Sequence, residues 1–353
     1  MMRILYITKL SDRKANGVTV SVTQLINSIC NYADILWLDL SGYIFKVSDK
    51  VKKVNIDNYL TTTPDIAVFE DPFNTTHFCK IAKVLRKNGI PYIITPHGCF
   101  HREALKHNHL KKVIAMSTVF RGFLHGCYGI QYLCENEKIN SYSVNESIII
   151  SNGIPDYDEY RIRRVIKDIV FISRKAVNHK GLDLLLQSLK SVKGILLQKG
   201  VQVHLYGSVE TEADESYISK TIDEFGLGEI VDNNGPIFDA EKKAALLKAD
   251  LFILTSRHEG FPMSILEAFT YGLPVLITDR TNMGDIVTSS NAGWVCKATI
   301  EDISKTIIEA LETDDCTEMS MNAKKVGSQY SWDKISEYTV EVYRKITQEK
   351  RSN

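Results

Sequence analysis

The stretch Leu251 to Thr278, LFILTSRHEGFPMSILEAFTYGLPVLIT, decides how the chain folds. Its first four residues, Leu251 to Leu254, form an apolar run of the kind found in strands buried on both faces of a parallel sheet. A polar corner follows, Thr255 to Gly260. Pro262 suits the first turn of a helix, where a missing N–H leaves no bond unmade. Ser264 to Tyr271 has helical spacing, Gly272 ends it, and Pro274 to Thr278 reads as the next strand. Strand, loop, helix and strand in that order put the loop at the carboxyl end of a strand, where open α/β sheets bind ligands.

Two carboxylates frame the loop, Glu259 before the helix and Glu267 within it, with seven residues between them. The amides of Gly260, Phe261, Met263 and Ser264, with Pro262 among them, would surround the helix N-terminus. Unpaired N–H groups and the positive end of the macrodipole suit a phosphate there. A carboxylate beside that site cannot hold the phosphate, because like charges repel, so it must accept from hydroxyls. Phosphate and hydroxyls together describe a sugar nucleotide. The plainer alternative is an ordinary helix cap flanked by surface carboxylates.

The segment E-G-F-P-M-S-I-L-E, Glu259 to Glu267, resembles the E-x7-E signature of the retaining glycosyltransferases of family 4, of the bacterial cell-surface-polysaccharide type. The likeness extends to the preceding strand and to Ala268, Gly272, Pro274 and Val275. It implies an α/β chain with the GT-B fold: two Rossmann-like, doubly wound domains facing a cleft, and a C-terminal helix crossing back to the first. It further implies transfer of a sugar, with retention, from a nucleotide-diphosphate donor to a hydroxyl of a glycan or lipid-linked acceptor. Surface polysaccharide or glycoconjugate biosynthesis is the expected setting. No cofactor is implied, and no metal.

Arg174 follows the first strand of the second half, and Lys180-Gly181-Leu182-Asp183 opens its helix. Both cations would converge near the Glu259 loop, Arg174 chelating phosphate oxygens and Lys180 acting as a point charge. The pattern Arg-x5-Lys-Gly-x-Asp resembles the family's donor-diphosphate site. Fixed positive charge there would neutralise a departing diphosphate in place of a metal ion. By the same resemblance Glu259 would bind hydroxyls of the transferred sugar and Glu267 those of the ribose. Gly207, in Tyr206-Gly207-Ser208, would lie where base and ribose pack, and Ile237, in Pro236-Ile237-Phe238, in a loop reading the base edge. One departure is visible after Thr278. The family often has a Gly-Gly loop and Glu-Ile-Val, whereas Thr281 to Val287 holds the single Gly284 and the shorter Asp285. Donor choice would feel that change.

In the first half, His97 follows an apolar strand and Pro96. The block His97 to Lys112 resembles the corresponding stretch of the surface-polysaccharide enzymes. By that resemblance His97 would contact the transferred sugar, and Arg102 with the basic residues after it would face the acceptor. His101, His107 and His109 read as surface residues. Gly17, in Ala15-Asn16-Gly17-Val18-Thr19, is either a turn residue or a place for phosphate or acceptor to approach the backbone. Relatives usually carry two adjacent glycines there.

At 353 residues the chain has room for two cores of ordinary size. No apolar run is long enough to span a bilayer, and MMRILYITKL reads as a first strand rather than a secretion signal. The seven Cys form no C-x-x-C pair and no zinc-spaced cluster, so reduced thiols in a cytoplasmic protein are expected. Zero net charge argues against a nucleic-acid partner. Residues 1–153 nevertheless carry 18 Lys and Arg against 12 Asp and Glu, and the rest 25 against 31. A basic first half suits an acceptor on a lipid diphosphate and peripheral contact with an inner membrane face. Scatter over two solvated surfaces would give the same counts.

Strand and helix alternate through both halves. The first half is expected to hold strands at 3–8, 35–40, 66–70, 91–95, 129–134 and 147–150, and helices at 18–32, 76–88 and 104–124. Residues 41–64 read as loosely patterned strand and loop. Asn152 to Pro155 marks a boundary, making 1–153 an acceptor domain and 154–332 a donor domain, with a last helix from about 333 returning to the first. Two readings compete with a transferase. An epimerase or phosphorylase of the same fold would need no second sugar. A non-catalytic binding subunit would be expected to lack Glu259, Glu267, Arg174 or Lys180, and all four are present.

Overall fold

The structure, a computed structural model, describes residues 1–12, 17–72, 75–100 and 115–352, the last three without side chains. The chain divides into two compact units, Met1–Gly153 with Trp332–Asn353, and Ile154–Ser331.

In the first unit the strands are β1 (Arg3–Thr8), β2 (Asp34–Asp39), β3 (Lys52–Lys53), β4 (Ile66–Glu70), β5 (Tyr92–Thr95), β6 (Gly129–Tyr132) and β7 (Glu146–Ile149). They pair parallel in the order β3-β2-β1-β4-β5-β6-β7. The helices are α1 (Gly17–Ile29), α2 (His77–Lys87), α3 (Arg121–Leu124) and α4 (Glu135–Ile139). All five residues of β4 are buried, including Glu70 at its carboxyl end, as the centre of a parallel sheet requires. An aromatic cluster fixes the neighbouring strand ends. Phe69 meets Phe78, Tyr92 and Phe123 edge-on, Tyr92 stacks on Phe123, and the Tyr92 hydroxyl donates to the Phe123 carbonyl. Strand order reverses between β1 and β4, so a crevice is expected at their carboxyl ends.

The second unit holds β8 (Asp168–Ile172), β9 (Gln202–Tyr206), β10 (Val231–Asn233), β11 (Leu251–Leu254), β12 (Val275–Thr278) and β13 (Gly293–Cys296). They are parallel, in the order β10-β9-β8-β11-β12-β13, with the reversal between β8 and β11. The helices are α5 (Val177–Lys180), α6 (Leu182–Ser191), α7 (Lys193–Lys199), α8 (Glu212–Glu224), α9 (Asp239–Lys248), α10 (Met263–Thr270), α11 (Gly284–Ser290), α12 (Ile300–Glu312) and α13 (Thr317–Gln329). Arg163 is fully buried, and its guanidinium donates to carbonyls of Leu246, Ala249 and Tyr271 at the ends of α9 and α10. Desolvation pushes it down to about 9. A cation at the C-terminal end of α10 stabilises the negative pole of that helix.

The last helix, α14 (Trp332–Ser352), belongs to the first unit. Trp332 donates to Gln24 and Ser336 to Ser28 on α1, while the Tyr343 hydroxyl donates to Gln131 on β6.

Two expectations need correction, and two stretches gain detail. Pro262 is the N-cap of α10, in extended geometry, and the helix starts one residue later. The stretch 41–64 contributes only Lys52–Lys53 as strand. The helix expected over 104–124 begins outside the described residues, and the remainder is interrupted by a turn at 118–120 before α3. Its Gly122 and β-branched Thr118 and Val119 are weak helix formers. Finally, α11, β13, α12 and α13 occupy sequence that carried no assignment.

Candidate active site

The loops after β8 and β11 meet at the reversal point of the second sheet. Gly181 makes the approach possible. It is left-handed, with φ of 63°, and a Cβ there would lie 2.0 Å from the Thr255 carbonyl oxygen. Thr255 donates its hydroxyl to the Gly181 carbonyl at 2.9 Å. Arg257 forks onto both oxygens of Asp183, at 2.7 and 2.6 Å, and reaches the Asn178 carbonyl.

Between these braces the Lys180 ammonium donates to Glu259 Oε1 at 2.6 Å, with side chains only 12% and 9% exposed. Ser256 donates to the same oxygen at 2.5 Å. From the other side Asn282, left-handed at φ 59°, donates to the carbonyls of Glu259 and Gly260, and the Glu259 amide donates to Arg280. Glu259 is thus held at both ends while Oε2 has no donor among the described residues. Lys180 uses one of its three N–H groups on Glu259. The ring of His179 feels burial first and then the field of Lys180, with Arg174 adding to it, and both push it below its usual range. This neutral imidazole places Arg174, Lys180 and Glu259 in one electrostatic neighbourhood.

Around that centre the other sites fall as follows. Arg174 is half exposed and donates to Glu210 at 2.5 Å. Glu267, on α10, is paired with Lys242 of α9. Phe261, Met263 and Ser264 lie at the α10 N-terminus, and no acceptor for their amides is found among the described residues. Gly260 needs no glycine on grounds of space. Gly207 does: a Cβ would sit 1.8 Å from the Ser173 carbonyl oxygen. Its amide donates to Gly235, two residues before the half-buried Ile237. Lys175, buried and lowered by that burial, donates to Asn233 and to the Asn234 carbonyl beneath this loop.

In the first unit His97 is left-handed at φ 47° and is followed by Gly98 at 81°. A non-glycine residue in that region is uncommon. Nε2 lies 2.6 Å from Glu70 Oε2, and Glu137 accepts from the Gly98 amide at 2.7 Å. Burial opposes a charge on His97, but the hydrogen bond to Glu70 and the fields of Glu70, Asp71 and Glu137 prevail and raise it above its usual range. Burial raises Glu137. A cavity of about 300 Å³ opens at the carboxyl ends of β1, β2 and β4, lined by Lys9, Ser11, Thr19, Ser41, Tyr43 and Asp71 among others. Gly17 begins α1 nearby, with open space around it. Arg102, with the segment 101–114, and Ala15 and Asn16 lie outside the described residues.

Residues 158–326 match the family described as glycosyl transferases group 1, a span that takes in most of the second unit and all of the Lys180 and Glu259 loops. That part of the chain resembles the group 1 glycosyl transferases. It is similar to an MMP α-(1→4)-mannosyltransferase of Mycolicibacterium hassiacum, 24% identical over 186 residues, which are 52% of this chain and 44% of that protein. The chain thus spans less than half the length of that relative. An uncharacterized glycosyltransferase of Methanocaldococcus jannaschii is 22% identical, over 76% of this chain and 72% of that one. Among solved structures, sucrose-phosphate synthase from Thermosynechococcus elongatus superposes with a TM-score of 0.74 at 14% identity, covering 98% of this chain and 99% of that one. HepE of Anabaena in complex with UDP and glucose gives 0.72 at 16%, covering 98% and 100%. At such identities the likeness is one of fold, and the fold is GT-B.

Sequence reasoning missed the partners of these residues rather than the principals. Glu70, Glu137, Glu210, Lys242 and Ser256 were not singled out. An acid ending an otherwise apolar strand, as in Ile66 to Glu70, was the one available signal for Glu70. Asn282 had a weaker signal, since Asn tolerates left-handed geometry better than most residues. Among the described residues no group of three or more His, Cys, Asp or Glu is placed to hold a metal ion, and no helix is long and apolar enough to cross a membrane.

Proposed function

We propose that the chain is a retaining, metal-independent glycosyltransferase. It moves a sugar from a nucleotide-diphosphate donor held by the second unit to a hydroxyl of a glycan or lipid-linked acceptor held by the first. The observation that carries this reading is the Lys180–Glu259 pair at the sheet reversal point. Two N–H groups of Lys180 remain for a diphosphate, and Glu259 Oε2 remains for a sugar hydroxyl. Arg174 and the α10 N-terminus add positive charge where the leaving group's charge develops. Glu267 accepts from ribose hydroxyls, and the loops of Gly207 and Ile237 receive the base.

The C1–O bond to the diphosphate breaks and a C1–O bond to the acceptor forms on the same face. The acceptor's proton goes to the departing phosphate oxygen, so positioning and electrostatics carry the rate. The hydroxyl-lined cavity with Tyr43, Ser11, Thr19 and Ser41 suits a saccharide acceptor. The excess of positive charge over residues 1–153 supports a cytoplasmic enzyme working peripherally at an anionic membrane. The UDP and glucose bound to HepE make UDP-sugars the donors to try first.

Thermal melts with UDP-, GDP-, ADP- and TDP-sugars in the presence of a chelator should show stabilisation by one nucleotide class. The anomeric configuration of the product, read by NMR, should match the donor's. Inversion of configuration, or turnover that needs an added divalent ion, would refute the mechanism.

A further inference from the structure

Glu70 is 1% exposed, and among the described residues the only hydrogen-bonding partner of its carboxylate is the His97 ring. The tyrosines near it, Tyr6 and Tyr343, are themselves buried and kept neutral, Tyr6 by desolvation first and the field of Glu70 second. A buried carboxylate with one partner holds its charge only if that partner is cationic or a strong donor. A carboxylate accepts, so the shared proton sits on Nε2 and Nδ1 is the nitrogen left to other groups. The backbone is fixed to match. His97 is held left-handed, and the following turn is pinned by Glu137, which accepts from the Gly98 and Leu133 amides at 2.7 Å each. Strain at such positions persists only when the surroundings over-determine them.

We infer that Glu70 is the positioning residue of the first unit: it accepts from Nε2–H, orients the His97 ring and stabilises its imidazolium form, so that Nδ1–H is presented to an oxygen of the bound substrate. The inference rests on the reading that His97 takes part in the transfer. Among the described residues the charged groups facing the ring are Glu70 from β4, Asp71 just after it, and Glu137 from α4. All three are acidic. Asp71 also lines the cavity, which puts the ring's electrostatic neighbourhood at that wall.

Two measurements on ¹⁵N-histidine-labelled full-length protein test it. NMR of the wild type, with the His97 signals assigned by their loss in His97→Gln, should show Nε2 protonated throughout and the ring charged at neutral pH. In Glu70→Gln, which keeps an acceptor but removes the charge, the His97 titration should fall by 1–3 pH units. The alkaline limb of kcat/KM should move down by the same amount. His97→Gln should lose activity about 100-fold or more. If Glu70→Gln does not fold, Glu70→Asp keeps the charge one methylene short and should hold the titration while lowering kcat. A His97 titration unmoved in Glu70→Gln, or a shifted titration without a shifted limb, overturns the inference while leaving the transferase reading intact. Full activity in His97→Gln overturns the inference together with the role given to His97.

Discussion

Replacing Lys180 by Met removes the cation from a carboxylate that is only 9% exposed. Breaking one side of a buried pair costs roughly 3–5 kcal/mol, because a charge is left without compensation. Glu259 keeps the Ser256 hydroxyl at 2.5 Å, so the lower end, about 3 kcal/mol, applies. For a unit of this size that is a fall in Tm of roughly 6–12 °C. The reverse change, Glu259→Gln, is milder, about 1–2 kcal/mol, since the flexible lysine stem can carry its charge to water. The double variant holds no unpaired charge and should recover about 2 kcal/mol of the summed loss.

Melting curves of the four proteins, with and without nucleotide sugar, give both answers. Donor binding should weaken about 10–100-fold in Lys180→Met, the cost of a charged hydrogen bond. Glu259→Gln should lower kcat with little change in the stabilisation a donor brings. A Lys180→Met protein that melts within 2 °C of wild type, or a coupling below about 0.5 kcal/mol, would refute the assignment of the pair as a buried, mutually dependent unit.

Three further outcomes are expected. Glu210→Gln releases Arg174 from a surface pair of little worth, so stability should change by no more than about 0.5 kcal/mol while donor Kd, measured by calorimetry, falls a few-fold; weaker donor binding would argue that Glu210 orients Arg174 instead. Gly181→Ala places a Cβ against the Thr255 carbonyl in left-handed geometry, and urea unfolding should register a loss above about 2 kcal/mol, the left-handed penalty alone being about 1–2. The raised His97 gives a stabilising contribution that is full below its unfolded value of about 6.5 and is lost as pH rises through its folded value; the stability of His97→Gln measured against pH should lack that decline.

How much of this was legible in the sequence depends on the range of the physics. Leu251–Leu254 and Ile66–Glu70 occur as read, because an apolar run between turn signals is a local pattern. Glu259 and Lys180 stood out for the same reason, each beside a glycine between a strand and the longer helix that follows it. What they do to one another was not legible. They are 79 residues apart, and only the parallel crossover that sets β11 beside β8 brings them into contact. Arg174 with Glu210 and Glu267 with Lys242 were hidden in the same way. Glu137 sits in the first turn of the short α4, where its spacing suggests only a helix start. The elements after Thr278 escaped because β13, Gly293-Trp294-Val295-Cys296, is short and begins with a glycine, so neither period nor propensity marks it.

The pairs differ in a way that assigns them different work. Lys180 and Glu259 are dry, share one hydrogen bond and leave two N–H groups and one carboxylate oxygen unspent. A ligand can complete that pair without opening it, so the charges are already placed and desolvated when the donor arrives. That is the condition under which fixed dipoles and charges contribute most to a rate. Glu70 and His97 follow the same logic, with Nδ1 as the unspent group. Arg174 and Glu210 are half exposed, and a surface pair of that kind is held weakly. On the proposed function a diphosphate would exchange for Glu210 at little cost, and the guanidinium would then offer its fork to two phosphate oxygens. The buried pair therefore sets geometry before binding, and the exposed one is remade by it. Mutations in the first should appear in stability together with donor affinity (Lys180) or kcat (Glu259), and those in the second in donor affinity alone.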